Sequence, residues 1–205
     1  MAFATNLLNG LIMNKLLFTL LLTVFVSGCS STIDKMAGLG QLETNISDFS
    51  GDTMVELSKT RNAHPTKKQA STFFGLKWDS SLPNNVFLYL INQSDVDSNN
   101  TYVNYESIEI KIGDDVSTFN ARNTIHDSSG YNSVTNTIYT DSKASISIPL
   151  SLVEKMVSAE DCRIKINTYK WYEVVLFHVD ENSMVSFSRP KFKEFLTKVN
   201  EMKAI

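Results

Sequence analysis

The stretch from Tyr105 to Ile112 constrains this chain most, because Ile108, Ile110 and Ile112 alternate with Ser107, Glu109 and Lys111. Successive side chains on a strand point to opposite faces, so a period of two puts three isoleucines on one side and polar groups on the other. Such a segment needs a core beneath it and water above it. Ala144, Ile146, Ile148 and Leu150 repeat the pattern against Ser145 and Ser147, giving a second half-buried strand. Val86-Phe87-Leu88-Tyr89-Leu90-Ile91 is apolar on both faces and reads as a central strand covered on both sides. Phe73 to Trp78 is a further short apolar run. Ser-Leu-Pro-Asn-Asn and Asn-Gln-Ser-Asp supply turn chemistry after these runs.

Two helices punctuate the later part of the chain. Ser151-Leu152-Val153-Glu154 has the spacing of a capping box, which predicts a short helix to about Ala159 burying Leu152, Val153, Met156 and Val157. Strands follow at Cys162 to Thr168 and Glu173 to Val179, and the four residues between them predict a hairpin. Phe192, Phe195, Leu196, Val199 and Met202 then fall on one helical face among Lys, Glu, Thr and Asn. Ser188 is placed to cap this last helix and Pro190 suits its first turn. Together these elements predict one α+β domain: a mostly antiparallel sheet of five to seven strands, a short inserted helix and a C-terminal amphipathic helix covering one face. A β-sandwich with peripheral helices is the alternative, disfavoured by the late order strand, helix, strand, strand, helix.

The N-terminus carries an address. Lys15 is followed by the apolar or small run Leu16 to Val26, then Ser27-Gly28-Cys29-Ser30-Ser31. A positive start, a short apolar run and small residues before a cut describe a secretory signal. Eleven residues fall short of the roughly 20 that a helix needs to span a bilayer. Val26-Ser27-Gly28-Cys29 resembles the lipobox of bacterial lipoproteins, over about Met13 to Ser30. The resemblance implies cleavage before Cys29, a diacylglyceryl thioether on its sulfur and fatty acylation of its freed amino group. Met13-Asn14-Lys15 reads as the true start. In the sorting known for enterobacterial lipoproteins, aspartate after the lipidated cysteine retains the protein in the inner membrane; Ser30 in that place implies the outer membrane. The chain therefore divides into a signal peptide at 1–28, a lipidated cysteine with a tether or weakly structured segment at 29–61, and a globular domain at 62–205. The expected first partner is the membrane, through the lipid.

The full chain has 19 basic and 22 acidic side chains, and loss of residues 1–28 removes only Lys15 among them. A mildly acidic chain with interspersed charges is a poor nucleic-acid platform and offers no polybasic lipid site. With Cys29 lipidated, Cys162 has no intrachain partner. It shares a strand face with Ile164 and Ile166 and reads as a small buried hydrophobe.

Chemistry is sparse. The sequence has no Gly-rich dinucleotide loop, no phosphate-cradling Gly-Lys-Ser/Thr, no His-Glu-x-x-His and no Gly-x-Ser-x-Gly. His64, His126 and His178 lie far apart, and none has a histidine or cysteine at metal-ligand spacing. His178 reads as a strand histidine opposite Val175 and Phe177. His126-Asp127-Ser128 holds the residue types of a hydrolytic triad, but adjacent loop residues cannot form its relay.

Three segments remain as sites. Thr118 to Asp141 is long and rich in Asn, Thr and Ser, with Tyr131 and Tyr139; it reads either as a hairpin with a small strand at Thr135 to Tyr139 or as a binding loop. Tyr169-Lys170-Trp171-Tyr172 places three aromatic rings at a turn, which suits contact with a protein, glycan or bilayer interface. Asp95, Asp97, Asn99, Thr101 and Glu106 resemble the EF-hand calcium loop in spacing, with Asn100 where that loop has glycine and strands where it has helices. No other cofactor is implied. The expected function is a non-enzymatic envelope factor of binding, accessory, immunity or exclusion type, with a protein or envelope-polymer partner and no nucleic acid. The alternative is an envelope hydrolase whose site is assembled only in three dimensions.

Overall fold

The computed structural model describes residues 34, 36–67, 69–95, 101–179 and 186–204. Among the described residues, ten strands form two antiparallel sheets. The larger contains β1 (Leu42–Ile46), β2 (Thr53–Thr60), β3 (Thr72–Asp79), β4 (Asn85–Asp95), β7 (Ile125–Ser128) and β8 (Tyr139–Pro149), in the order β1-β2-β3-β4-β8-β7. The smaller contains β5 (Tyr105–Ile112), β6 (Asp115–Asn120), β9 (Cys162–Thr168) and β10 (Tyr172–Leu176), in the order β10-β9-β5-β6. Helix α1 (Leu150–Ser158) leads from β8 to β9, and α2 (Ser188–Lys203) closes the chain. The fold is α+β with a C-terminal helix, as expected, and the six-stranded sheet falls within the expected size. The second sheet was not separately readable, and it encloses the core with the first.

Register explains the core. Across the large sheet the inward side chains form rows: Val55, Trp78, Val86 and Ile148; then Leu57, Leu76, Leu88 and Ile146; then Phe74, Leu90 and Ala144. All are buried. Ile108, Ile110, Ile164, Ile166 and Val175 of the small sheet face the same core. A bulge between Tyr105 and Ser107 keeps Tyr105 pointing inward with Ile108, three residues on. Helix α2 lays Phe192, Phe195, Leu196 and Val199 into the core, with the Phe192 ring 5.0 Å from Phe177 and 6.5 Å from Phe74. Each such side chain contributes about 1.5–3 kcal/mol by leaving water.

β4 is central, between β3 and β8. Its outward Phe87, Tyr89 and Ile91 are only half-buried, with the Arg122 guanidinium 5.4 Å from the Phe87 ring centre and the Lys143 ammonium 4.1 Å from that of Tyr89. Cations on the rings, not a second protein layer, cover that face among the described residues. Gly75, beside Tyr89, is closely packed: a Cβ there would sit 3.1 Å from the Leu57 carbonyl, so the backbone would have to give by a few tenths of an ångström. β5 and β6 meet in a two-residue turn whose first residue, Gly113, has φ +58°, as a tight hairpin needs.

Several local expectations give way. Helix α1 starts at Leu150, one residue ahead of the capping box, with Pro149 as N-cap and no side-chain cap. Pro149 still pairs with Asn85, and the Leu150 amide donates to the Asn84 carbonyl, so the end of β8 sets the helix start. Leu152 and Val157 are half-buried there, while Leu150, Val153 and Met156 are buried. In α2, Ser188 is the first helical residue and does not cap; its hydroxyl bonds the Arg61 carbonyl and Asn62 Oδ1 instead. The stretch from Thr118 to Asp141 is not one long loop: it holds the end of β6, all of β7 and the start of β8, and the β7–β8 pairing leaves a tip at 129–138. The small strand therefore lies at Ile125–Ser128 rather than Thr135 to Tyr139. His178 lies in a turn after β10. Strands begin at Leu42, inside the segment read as a tether.

Candidate functional site

The inward rows turn polar at one end of the large sheet. One step beyond Phe74, Leu90 and Ala144 stand Thr72, Asn92, Ser142 and His126, in register across β3, β4, β8 and β7. Thr72, Asn92 and Ser142 are buried, as are Thr60 and Asn62 beside them. We call this the upper end. Hydroxyls and amides here anchor covering loops where apolar residues would leave backbone groups unpaired. Thr140 Oγ1 donates to the Thr101 carbonyl (2.6 Å), and Ser142 Oγ accepts the Val103 amide (3.0 Å). Asn62 Nδ2 donates to the Thr72 carbonyl (2.8 Å). Glu173, buried at the start of β10, accepts from the Ser71 amide (2.7 Å), the Ser71 hydroxyl (2.9 Å) and the Thr72 amide (3.0 Å), clamping the two sheets together.

Above this row lies an open cleft of about 370 Å³, lined by Thr101, Tyr102, Val103 and Asn104 on one wall and Thr168 to Trp171 on the other. The walls are joined where the Tyr169 amide donates to the Asn104 carbonyl (3.0 Å). Thr168 fixes the turn: its hydroxyl bonds both the carbonyl and the amide of Trp171, at 2.6 and 3.1 Å. Trp171 is thus held half-buried against the core while Tyr169 projects, 75% exposed. Tyr102 and Lys170 complete an aromatic rim with one cation.

Of the aromatic residues singled out from sequence, Tyr169 and Trp171 meet in this cleft. Tyr172 lies next to it but faces outward, with the Lys165 ammonium 5.5 Å from its ring centre. Tyr139 begins β8, and Tyr131 lies on the tip beyond it, its hydroxyl on Asn136 Oδ1 (3.1 Å). Sequence reasoning passed over Tyr102 and Asn104. Their proximity to Tyr169 depends on the β5–β9 pairing, which local patterning does not encode. In the calcium-like segment, Asp97 and Asn99 lie outside the described residues. Asp95 ends β4, Glu106 is exposed in β5, and the Thr101 carbonyl is taken by Thr140.

His126 does find a serine, but not Ser128. Its Nε2 lies 2.9 Å from Asn104 Oδ1 and its Nδ1 3.2 Å from Ser142 Oγ, with the Tyr102 ring centre 5.0 Å away. Asn104 Oδ1 can only accept, so Nε2 carries the proton and Nδ1 accepts from the Ser142 hydroxyl. The order serine, histidine, amide resembles a nucleophile relay. Ser142, however, is 1% exposed and already receives the Val103 amide, so a substrate carbonyl has no approach to it. The trio pins the 101–104 loop to the sheet.

Cys162 is fully buried, and burial, then the Asp161 carboxylate, pushes its thiol up to about 12. His178 Nδ1 touches its backbone carbonyl at 3.1 Å. A thiol held neutral is a packing group, not a nucleophile. His64 Nδ1 accepts the Thr66 and Lys67 amides in a local turn. No group of three or more His, Cys, Asp or Glu among the described residues could hold a metal. No described helix is long and apolar enough to cross a membrane.

No curated protein and no solved structure matches the chain. Residues 13–30 match the prokaryotic membrane lipoprotein lipid attachment site, the same residues that carry the lipobox pattern ending in Cys29. The chain is a lipid-anchored protein of the bacterial envelope, with a signal peptide ahead of its lipid attachment site.

Proposed function

We propose that the domain works by binding rather than by chemistry, engaging another component of the envelope through its upper end as an accessory, immunity or exclusion factor. One observation carries this reading. Of the seven tyrosines, Tyr102, Tyr131, Tyr139, Tyr169 and Tyr172 are all large exposed side chains, and all five belong to the upper end. Tyrosine offers wide contact area at low entropic cost, and exposed aromatics gathered beside a cleft mark recognition surfaces. A photo-crosslinking residue in place of Tyr169, in the full-length protein in living cells, is expected to give a covalent adduct. Tyr102→Ser with Trp171→Ala should remove that adduct; its absence from the otherwise unmodified protein would refute the reading.

The hydrolase alternative makes an opposite claim about Ser142. A serine-reactive phosphonate should leave the protein unlabelled, and labelling lost in Ser142→Ala would revive it. For destination, Ser30 after the lipidated cysteine supports the outer membrane. Ser30→Asp should then move the protein to the inner-membrane fraction, and an unchanged distribution would count against that assignment.

A further inference from the structure

The way the chain enters the domain limits which end can meet the membrane. Asp34 is buried, its Oδ1 3.2 Å from Arg61 Nη2, and its carbonyl accepts the Leu39 amide. Arg61 directly follows Thr60, the last residue of β2 at the upper end, and the neighbouring Asn62 bonds Thr72 of the polar row. The lipid-bearing Cys29 lies five residues before Asp34. Fully extended, five residues reach about 17–18 Å. β2 alone, eight residues long, spans about 26 Å. With the strands along the membrane normal and Asp34 docked, the lower end, with the 47–52 turn and the 80–84 turn, therefore cannot be the end that faces the bilayer. Across the upper end, β2 and β8 are three strand spacings apart, about 14–15 Å, so the tyrosines stand on the side from which the tether leaves.

The exposed rings with a polar tip gather at the same end. Ile46, Phe49 and Leu82, without a polar tip, are at the lower end. The upper end has Met36 beside the tether, Ile125 in β7, Val134 on the tip beyond it, and all five exposed tyrosines. Rings with a polar tip are the side chains that settle at the level of lipid headgroups, and Lys170 brings a cation for phosphate. Resting on the reading of the upper end as a contact surface, we propose that its occupant is the bilayer interface itself. Tyr102, Tyr169 and Trp171 then form a second attachment, distinct from the lipid on Cys29.

The two tryptophans make this measurable. Trp78 is buried in the core and Trp171 lies at the cleft, so lipid-borne quenchers report on Trp171. The mature lipidated protein is reconstituted into protein-free phosphatidylcholine vesicles brominated near the headgroup. Emission that disappears in Trp171→Phe is expected to fall roughly twofold. Tyr102→Ser with Tyr169→Ser should restore it, whereas a flexible Gly-Ser spacer of about 20 residues after Ser31 should leave the quenching in place. Absence of quenching, or its loss in the spacer variant, would overturn the proposal. If vesicles give no quenching while Tyr169 still forms adducts in cells, the bilayer is the wrong occupant but the contact surface stands.

Discussion

The two ends of the large sheet close in different ways. At the lower end apolar rows run to the last residues of the strands, and tight turns finish them. There Asp79 accepts the amide and hydroxyl of Ser81, which hold its carboxyl below the usual range, and Trp78 Nε1 donates to the Pro83 carbonyl (3.2 Å). At the upper end the core stops a row early and gives way to Thr72, Asn92, Ser142 and His126. At the lower end burial runs to the strand ends and short hydrogen-bonded turns close them. The upper end gives up apolar area to hold loops whose backbone would otherwise be unpaired, and those loops carry the tyrosines. Under the proposed function, stability and recognition fall at opposite ends of one sheet.

Substitutions at the two ends should separate these roles. Trp78→Ala, in the lowest apolar row, is expected to cost about 3–5 kcal/mol in urea unfolding, the largest effect. Asn62→Ala should cost about 1–3 kcal/mol, because it strips partners from the Thr72 carbonyl and the Ser188 hydroxyl; a cost equal to that of Trp78→Ala would erase the distinction. Cys162 bears on pH. Its folded value of about 12 lies above the usual 9.0, so the stability it contributes is complete below about pH 9 and is lost as pH climbs toward about 12. By pH 10 the loss should be about 1 kcal/mol, absent in Cys162→Ala, and iodoacetamide should spare the folded thiol at pH 8. Tyr169→Ser should change stability by no more than about 0.5 kcal/mol, since its ring is 75% exposed. A larger cost would make that tyrosine part of the scaffold.

What could be read in advance follows the same division. β5 spans the residues that alternation marks, β4 is central as its two apolar faces require, and α2 buries Phe192, Phe195, Leu196 and Val199. Those features are written in periodicity, because burial imposes it. The polar row is not. Thr72, Asn92 and Ser142 look like strand ends in sequence, and only register shows them facing inward side by side. β7 eluded the reading because all four of its residues are exposed, leaving no apolar pattern to find. The cleft likewise depends on β5 pairing with β9, whose segments lie far apart along the chain. Cys29 was legible because the lipobox is recognised as a linear segment.

Hydroxyl-radical footprinting of the lipidated protein, in native membranes and after detergent extraction, tests the central claim most directly because both ends are read in one sample. Tyr102, Tyr169 and Trp171 are expected to be protected in membranes and oxidised after extraction, while Phe49 and Leu82 are oxidised equally in both. Equal oxidation of the upper aromatics in the two states, or protection confined to Phe49 and Leu82, would contradict the assignment of recognition to the upper end.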